Sequence, residues 1–167
     1  MGGSNVIGKE HGARTGRMPQ GPARLATALG IAGLIPFVAG AALALLSDDA
    51  AAARAALLAY GAVILSFLGA VHWGLALASG QTETGRAMLR FATSVLPSLL
   101  GWAALLLPQV PGFALATAAF ALLLAAETLG PLRAGLPGWY LRLRIGLTLG
   151  ALVALAIGAP IGGGGPA

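Results

Sequence analysis

Long apolar runs alternate with short polar segments along this chain. A helix needs about 20 apolar residues to cross ~30 Å of hydrocarbon. Five runs of roughly that length follow a polar N-terminal segment, and they predict transmembrane helices at about residues 25–46, 55–79, 88–107, 110–130 and 145–162. The predicted fold class is all-α, an integral membrane bundle of five antiparallel transmembrane helices in one domain, residues 25–162.

The two ends of the chain lie outside this predicted bundle. Residues 1–24 are polar and basic, and we expect a disordered tail there. The apolar run that follows is too long for a cleaved signal peptide, so it predicts an uncleaved anchor. Residues 163–167 form a short glycine-rich tail.

The basic residues predict the orientation of the bundle. Nine of the ten Lys and Arg residues fall in the N-terminal tail and in the segments around 79–90 and 130–144, whereas the opposite side carries only Arg54. Basic residues accumulate on the cytoplasmic side of membrane proteins. We therefore expect the N-terminus inside and the C-terminus outside.

Composition supports the bilayer as the solvent. Charged residues make up 9% of the chain and hydrophobic residues 57%, with a mean hydropathy of +0.86, whereas soluble domains carry charge on about a quarter of their residues. The net charge of +5 is spread over loops, so we expect no nucleic-acid partner. Because the chain has no cysteine, disulfides and thiolate metal sites are excluded.

Small residues recur every four positions on two helices and predict close helix packing. Pro36 and Pro97 lie inside spans and predict kinks. Their similar surroundings leave open a duplicated pair of helices. The candidate helix-packing residues are Ser66, Ala70, Gly74, Gly146, Gly150 and Gly158.

Three segments carry a family resemblance: GLIPFVAGAALALL, YGAVILSFLGAVHWGLAL and PGWYLRLRIGLT. Together they resemble the domain of unknown function 3429 family, which includes transmembrane protein 69, over roughly residues 25–160. The resemblance implies a small multi-pass inner-membrane protein. It implies no activity, ligand or catalytic residue.

His72 lies in an otherwise apolar span, and a polar side chain at that depth is a candidate functional residue. It predicts an inward-facing polar pocket with neighbours from two other helices. In a purely structural alternative, His72 bonds the Thr93 carbonyl freed by Pro97, and Glu127 pairs with Arg90 or Arg133. In the same alternative, Ser94 and Ser98 bond back to their own helix. The candidate pocket comprises His72, Trp73, Arg90, Ser94, Ser98 and Glu127.

The sequence favours a protein without catalysis of its own. It contains no hydrolase, zinc-protease, P-loop or dinucleotide motif. With two histidines, one of them His11 in the tail, we expect no metal and no cofactor.

We expect an accessory or assembly subunit of a larger complex in the inner (cytoplasmic) membrane of a bacterium. The bilayer, that complex or a homo-oligomer would be its partners. The alternative is a small oligomeric transporter or proton-coupled carrier that uses His72 and Glu127.

Overall fold

The computed structural model describes residues 20–78 and 84–160. The disordered N-terminal tail and the glycine-rich C-terminal tail that the sequence predicts lie largely or wholly outside these residues. The elements are α1 (Gln20–Ala32), α2 (Ile35–Leu46), α3 (Ala50–Ala78), α4 (Thr84–Leu106), α5 (Gln109–Thr128), a short 3-10 helix (Pro131–Arg133) and α6 (Gly138–Gly158).

Five helical segments of the described chain are long and apolar enough to cross a membrane. The first combines α1 and α2, and the others are α3, α4, α5 and α6. This confirms the predicted all-α fold of five transmembrane helices. The orientation of the termini stays a prediction from the charge pattern.

The first span is interrupted, as its proline predicts. Pro36 has no N–H to donate and its ring excludes the carbonyl four residues earlier, so the helix breaks before it. The structure has a turn at Gly33 and Leu34 between α1 and α2. The Tyr60 hydroxyl of α3 donates to the Gly33 carbonyl oxygen over 2.9 Å, which satisfies a backbone group that the break leaves free.

Helix α3 is the centre of the bundle and packs against α2, α4, α5 and α6. Its inward face carries buried Leu57, Leu58, Leu65 and Leu68, which join Phe113 and Phe120 of α5 in the core. Glycine allows the closest approach: a Cβ added at Gly69 would overlap the backbone carbonyl oxygen of Ser94 in α4. A side chain on this face would therefore push α4 away.

The predicted helix-packing residues divide into two groups. On α6, Gly150 faces the Leu34 side chain and Gly158 faces Leu57, so both pack inside the bundle. On α3, Ser66 is half-buried and bonds back to the Ala62 carbonyl, whereas Ala70 and Gly74 are exposed. Gly146 is exposed too, and a Cβ at either exposed glycine would meet nothing within 4 Å. Against the parts of the chain that the structure describes, these exposed glycines therefore make no close helix contact.

Helix α6 begins earlier than the apolar run predicts. It starts at Gly138, directly after Pro137, and not near Ile145. Pro and Gly end the preceding turn, but nothing between them and Ile145 breaks a helix. Arg142 and Arg144 therefore lie within α6, and Arg144 is buried.

Candidate functional site

Three ionisable side chains from three helices meet inside the bundle: His72 of α3, Glu127 of α5 and Arg144 of α6. The His72 Nε2 lies 3.0 Å from Glu127 Oε1, and the Arg144 Nε lies 2.8 Å from Glu127 Oε2. His72 and Glu127 are fully buried, and Arg144 is 3% exposed. We call these three residues the ion cluster.

Helix geometry explains why the three residues meet. His72 is six residues before the end of α3, and Arg144 is six residues after the start of α6. Glu127 is next to the last residue of α5. Because the helices are antiparallel, all three lie near the same end of the bundle, with His72 and Arg144 roughly 9 Å along their helices from that end.

The cluster compensates its own charges. A carboxylate accepts hydrogen bonds only, so the proton of His72 belongs on Nε2, which donates to Glu127. Arg144 and Glu127 form an ion pair, although its angle is not that of a directed hydrogen bond. Arg144 Nη1 also donates to the Thr148 hydroxyl over 2.6 Å. Pairing of this kind is what makes buried charge tolerable.

Two nitrogens of the cluster are unpaired. Within the described part of the chain, His72 Nδ1 and Arg144 Nη2 are buried and have no hydrogen-bond partner. The Tyr140 hydroxyl lies within hydrogen-bonding reach of the Arg144 guanidinium and close enough to Glu127 to interact with its charge. An unsatisfied buried donor is costly, at about 1–3 kcal/mol. Among the described residues, the Arg144 Nη2 thus makes no directed hydrogen bond, and Tyr140 is the side chain within hydrogen-bonding reach of the guanidinium.

The structure brings His72 and Glu127 together, and the observed hydrogen bonds and ring contacts of Arg90, Ser94 and Trp73 are made with other groups. Arg90 donates through Nη2 to the Ala134 carbonyl in the segment between α5 and α6. Ser94 Oγ donates to the Phe91 carbonyl of its own helix over 2.8 Å. Trp73 is 47% exposed and packs edge-on against Phe91. Ser98 is half-buried on α4.

The structural alternative is right that Ser94 bonds back to its own helix, but its contacts for His72 and Glu127 differ from those observed. His72 pairs with Glu127 and not with the Thr93 carbonyl. The cation beside Glu127 is Arg144, not Arg90 or Arg133, and Arg133 Nη1 donates to the Thr128 carbonyl.

Sequence reasoning assigned Arg144 to a loop and so left it out of the pocket. The signal for it is a four-residue spacing: Tyr140, Arg144 and Thr148 follow one another on a single helix face. That face points inward, since Arg144 and Thr148 are both buried.

Arg144 and Thr148 also line a cavity of about 390 Å³ next to the cluster. The remaining wall is mostly apolar and comes from α1, α2, α3, α5 and α6. Among the described residues, no group of three or more His, Cys, Asp or Glu side chains could hold a metal ion. The site offers an ion pair, an imidazole and, as far as the described residues show, a guanidinium Nη2 without a directed hydrogen bond beside an apolar space.

These features define a multi-pass helical membrane protein with an internal ion cluster. The chain belongs to the family described as "Protein of unknown function (DUF3429)", whose model matches residues 22–160. This confirms the family that the sequence segments predict.

The chain is similar to "Transmembrane protein 69" of two vertebrates. The Mus musculus protein is 32% identical over 128 residues, which cover 76% of this chain and 52% of that protein. The Xenopus tropicalis protein is 37% identical over 131 residues, which cover 76% of this chain and 50% of that protein. The chain thus spans about half the length of these curated relatives. No solved structure matches it.

Proposed function

We propose that this protein is a non-enzymatic accessory or assembly subunit that docks on a larger membrane complex through the outward face of α3. One observation carries the proposal: Ala70, Gly74 and Ala78 lie exposed at four-residue spacing, and nothing within 4 Å would meet a Cβ at Gly74. Glycine in a helix costs about 1 kcal/mol relative to alanine. A neighbouring helix that approaches closely would explain that cost.

Packing physics in lipid supports this reading. Transmembrane helices gain no hydrophobic energy from association in lipid, so close contact at small residues provides much of their attraction. The four-residue repeat gives α3 a shallow groove flanked by large apolar side chains, including Phe67 and Leu77, which are 66% and 68% exposed. Another integral membrane protein with a complementary helix is the partner this surface fits.

The burial of the ion cluster supports a structural role for the polar residues. His72 and Glu127 are 0% exposed, and they join α3 to α5 while Arg144 adds α6. We place the protein in the inner membrane of a bacterial cell, with its N-terminus inside, because of its charge asymmetry and its preference for Arg over Lys.

The test compares two Gly→Leu substitutions at exposed positions. Gly74→Leu fills the α3 groove, and Gly146→Leu is the matched control because its Cβ also meets open space. After gentle extraction from native membranes, native gel electrophoresis and mass spectrometry identify the complex. We expect the wild type and Gly146→Leu to migrate with a stoichiometric membrane-protein partner and Gly74→Leu to migrate alone.

Three results would contradict the proposal. The wild type runs as a monomer, Gly74→Leu keeps its partner, or Gly146→Leu is the variant that loses it. A complex made only of copies of this chain would identify α3 as a homo-oligomer interface and would also reject the accessory role.

The His72–Glu127 pair is the observation that favours the alternative, a small proton-coupled carrier. A carrier would lose solute uptake in a His72→Ala variant that remains folded in proteoliposomes. Uptake unchanged by that substitution would exclude the carrier, as would the absence of any uptake by the wild type.

A further inference from the structure

The cavity beside the ion cluster is lined mostly by apolar and aromatic side chains. Rings from four helices line it: Phe37 of α2, Phe67 of α3, Phe120 of α5 and Tyr140 of α6. Its volume of about 390 Å³ falls in the range of small-molecule sites, roughly 300–1,000 Å³. Such a lining suits a flat ring with an apolar substituent.

The wall of the cavity includes residues on the lipid-facing surface of the bundle. Leu29 of α1 and Phe67 of α3 stand at its rim, and they are 64% and 66% exposed. Helix α1 packs mainly against α6, where Gly30 lies close to the Leu147 side chain. A molecule dissolved in the bilayer can therefore enter between α1 and α3 without leaving the hydrocarbon.

The polar side chains in the cavity wall are those of Tyr140, Arg144 and Thr148. The guanidinium uses Nε toward Glu127 and Nη1 toward Thr148. Its Nη2 makes no directed hydrogen bond in the described parts of the chain, and Arg144 is only 3% exposed. A ligand that offers an acceptor there would satisfy this donor.

Charge balance favours a neutral acceptor. One guanidinium and one carboxylate already offset each other in the cluster. A second anion would bring uncompensated charge into a low-dielectric site, which is costly. A carbonyl oxygen accepts the N–H without adding charge.

Depth distinguishes among carbonyl-bearing lipids. Arg144 is six residues along α6 from its start at Gly138, hence roughly 9 Å below that end. The ester carbonyl of a glycerolipid is tied to a polar headgroup, so it reaches Arg144 only if this end of α6 lies close to the membrane surface. A ring carbonyl without a headgroup has no such restriction.

We propose that this cavity is a binding site for a lipid-soluble quinone, with a ring carbonyl accepting a hydrogen bond from Arg144 and the apolar tail leaving between α1 and α3. The site shares Phe67 with the outward face of α3 around Gly74, but binding is measured on the isolated chain without any docked partner. Its occupancy therefore does not depend on the docking role proposed above.

Binding is tested with three probes and the full chain in nanodiscs of defined phospholipid. Decylubiquinone is the quinone. Decylbenzene has the same tail on a ring without carbonyls, and monoolein is an acyl ester with a polar headgroup. Native mass spectrometry measures the fraction of protein that carries each probe. We expect the wild type to bind decylubiquinone about tenfold more tightly than decylbenzene, the size of one good hydrogen bond to a charged donor.

Two variants separate the apolar wall from the donor. Ala151→Leu fills the cavity, since Ala151 is a buried lining residue, and Ala156→Leu is the matched control on the exposed face of the same helix. We expect Ala151→Leu to weaken decylubiquinone and decylbenzene binding about tenfold, while Ala156→Leu stays within about twofold.

Arg144→Lys keeps a cation beside Glu127 but removes the planar second donor. It should lower decylubiquinone binding to the level of decylbenzene and leave decylbenzene unchanged. Thermal unfolding monitored by circular dichroism checks that each variant is folded. If Arg144→Lys does not fold, the comparison of Ala151→Leu with Ala156→Leu and the wild-type preference between the two ring probes still decide.

The proposal is overturned if decylubiquinone and decylbenzene bind equally to the wild type, or if Ala151→Leu binds as the wild type does. Tighter binding of monoolein than of decylubiquinone would assign the cavity to an acyl lipid and reject the quinone.

Discussion

Glu127 is shared by two partners, one on each carboxylate oxygen. Oε1 faces His72 and Oε2 faces Arg144, so a single side chain of α5 joins α3 and α6. Because all three residues are buried, removing one partner leaves the others without compensation in a medium that penalises charge. Their contacts therefore contribute to stability chiefly through the cost of disrupting them.

This dependence predicts the effect of Glu127→Gln, which keeps the shape of the side chain and removes its charge. We expect the free energy of unfolding to fall by ~3 kcal/mol, because Arg144 would remain buried without its counter-charge. Combining it with Arg144→Met should restore part of the loss. Unfolding by SDS in mixed micelles measures both.

Arg142→Met is the control for that series. Arg142 is exposed on the same helix as Arg144, so its replacement should change the free energy by less than ~0.5 kcal/mol. Equal effects of Glu127→Gln and Arg142→Met, or a double variant less stable than the single one, would show that the ion pair does not hold the bundle.

At this scale the sequence predicted part of the site. His72 and Glu127 are polar residues inside apolar spans, so their position in the predicted spans was enough to identify them as candidate site residues. Arg144 lies in a stretch with Arg142 and Tyr140 that reads as an interfacial loop, and hydropathy assigns such a charge to water. Only tertiary structure shows that Glu127 is within reach to neutralise it.

Helix α3 has two faces with small residues, and their surroundings differ. On the inner face, Gly69 packs against the α4 backbone at Ser94, and Ala62 packs against Gly101, which is also in α4. Outside, Ala70 and Gly74 are exposed. The repeat spacing is similar on both faces, so spacing alone could not tell which one the chain uses for its own packing.

The two faces predict opposite responses to the same substitution. Gly69→Ala should destabilise the protein by about 1–3 kcal/mol, because the added methyl overlaps the Ser94 carbonyl and α4 must move. Gly74→Ala should be neutral or stabilising by up to about 1 kcal/mol, since alanine favours the helix and meets no atom. Thermal unfolding in detergent compares them directly, and a loss of stability at Gly74 equal to that at Gly69 would contradict this assignment.

Most element positions followed from apolar length. The break at Gly33–Leu34 followed from Pro36, whose chemistry is local. Pro97 differs, since α4 runs through it from Thr84 to Leu106. The early start of α6 was not predicted because its first turns are amphipathic. The unbroken apolar run starts only at Ile145, after Arg142 and Arg144, whereas the helix itself starts at Gly138.

On the scale of the whole molecule, positive charge is concentrated at one end of the bundle. Arg90, Arg133, Arg142 and Arg144 all lie near the end of the bundle that carries the ion cluster, whereas Asp48 and Asp49 lie in the turn at the other end. The positive-inside rule therefore predicts that the cluster is closer to the cytoplasmic side.

Because the chain has no cysteine, single-cysteine labelling can test this orientation. Asp48 and Leu129 are exposed at opposite ends of the bundle. A membrane-impermeant maleimide should label Asp48→Cys in intact cells and Leu129→Cys only after the membrane is permeabilised. The reverse pattern would invert the topology, and labelling of both in intact cells would show mixed insertion.

The ion cluster also has a consequence for biosynthesis. Its members enter the membrane in the order His72, Glu127, Arg144, because the chain emerges from the ribosome N-terminus first. Until α6 arrives, the Glu127 carboxylate has a histidine beside it but no guanidinium. A nascent or truncated chain that ends before residue 144 therefore lacks the counter-charge of Glu127. We expect such a chain to be less stable in the membrane, and more readily degraded by membrane proteases, than the chain in which α6 supplies Arg144.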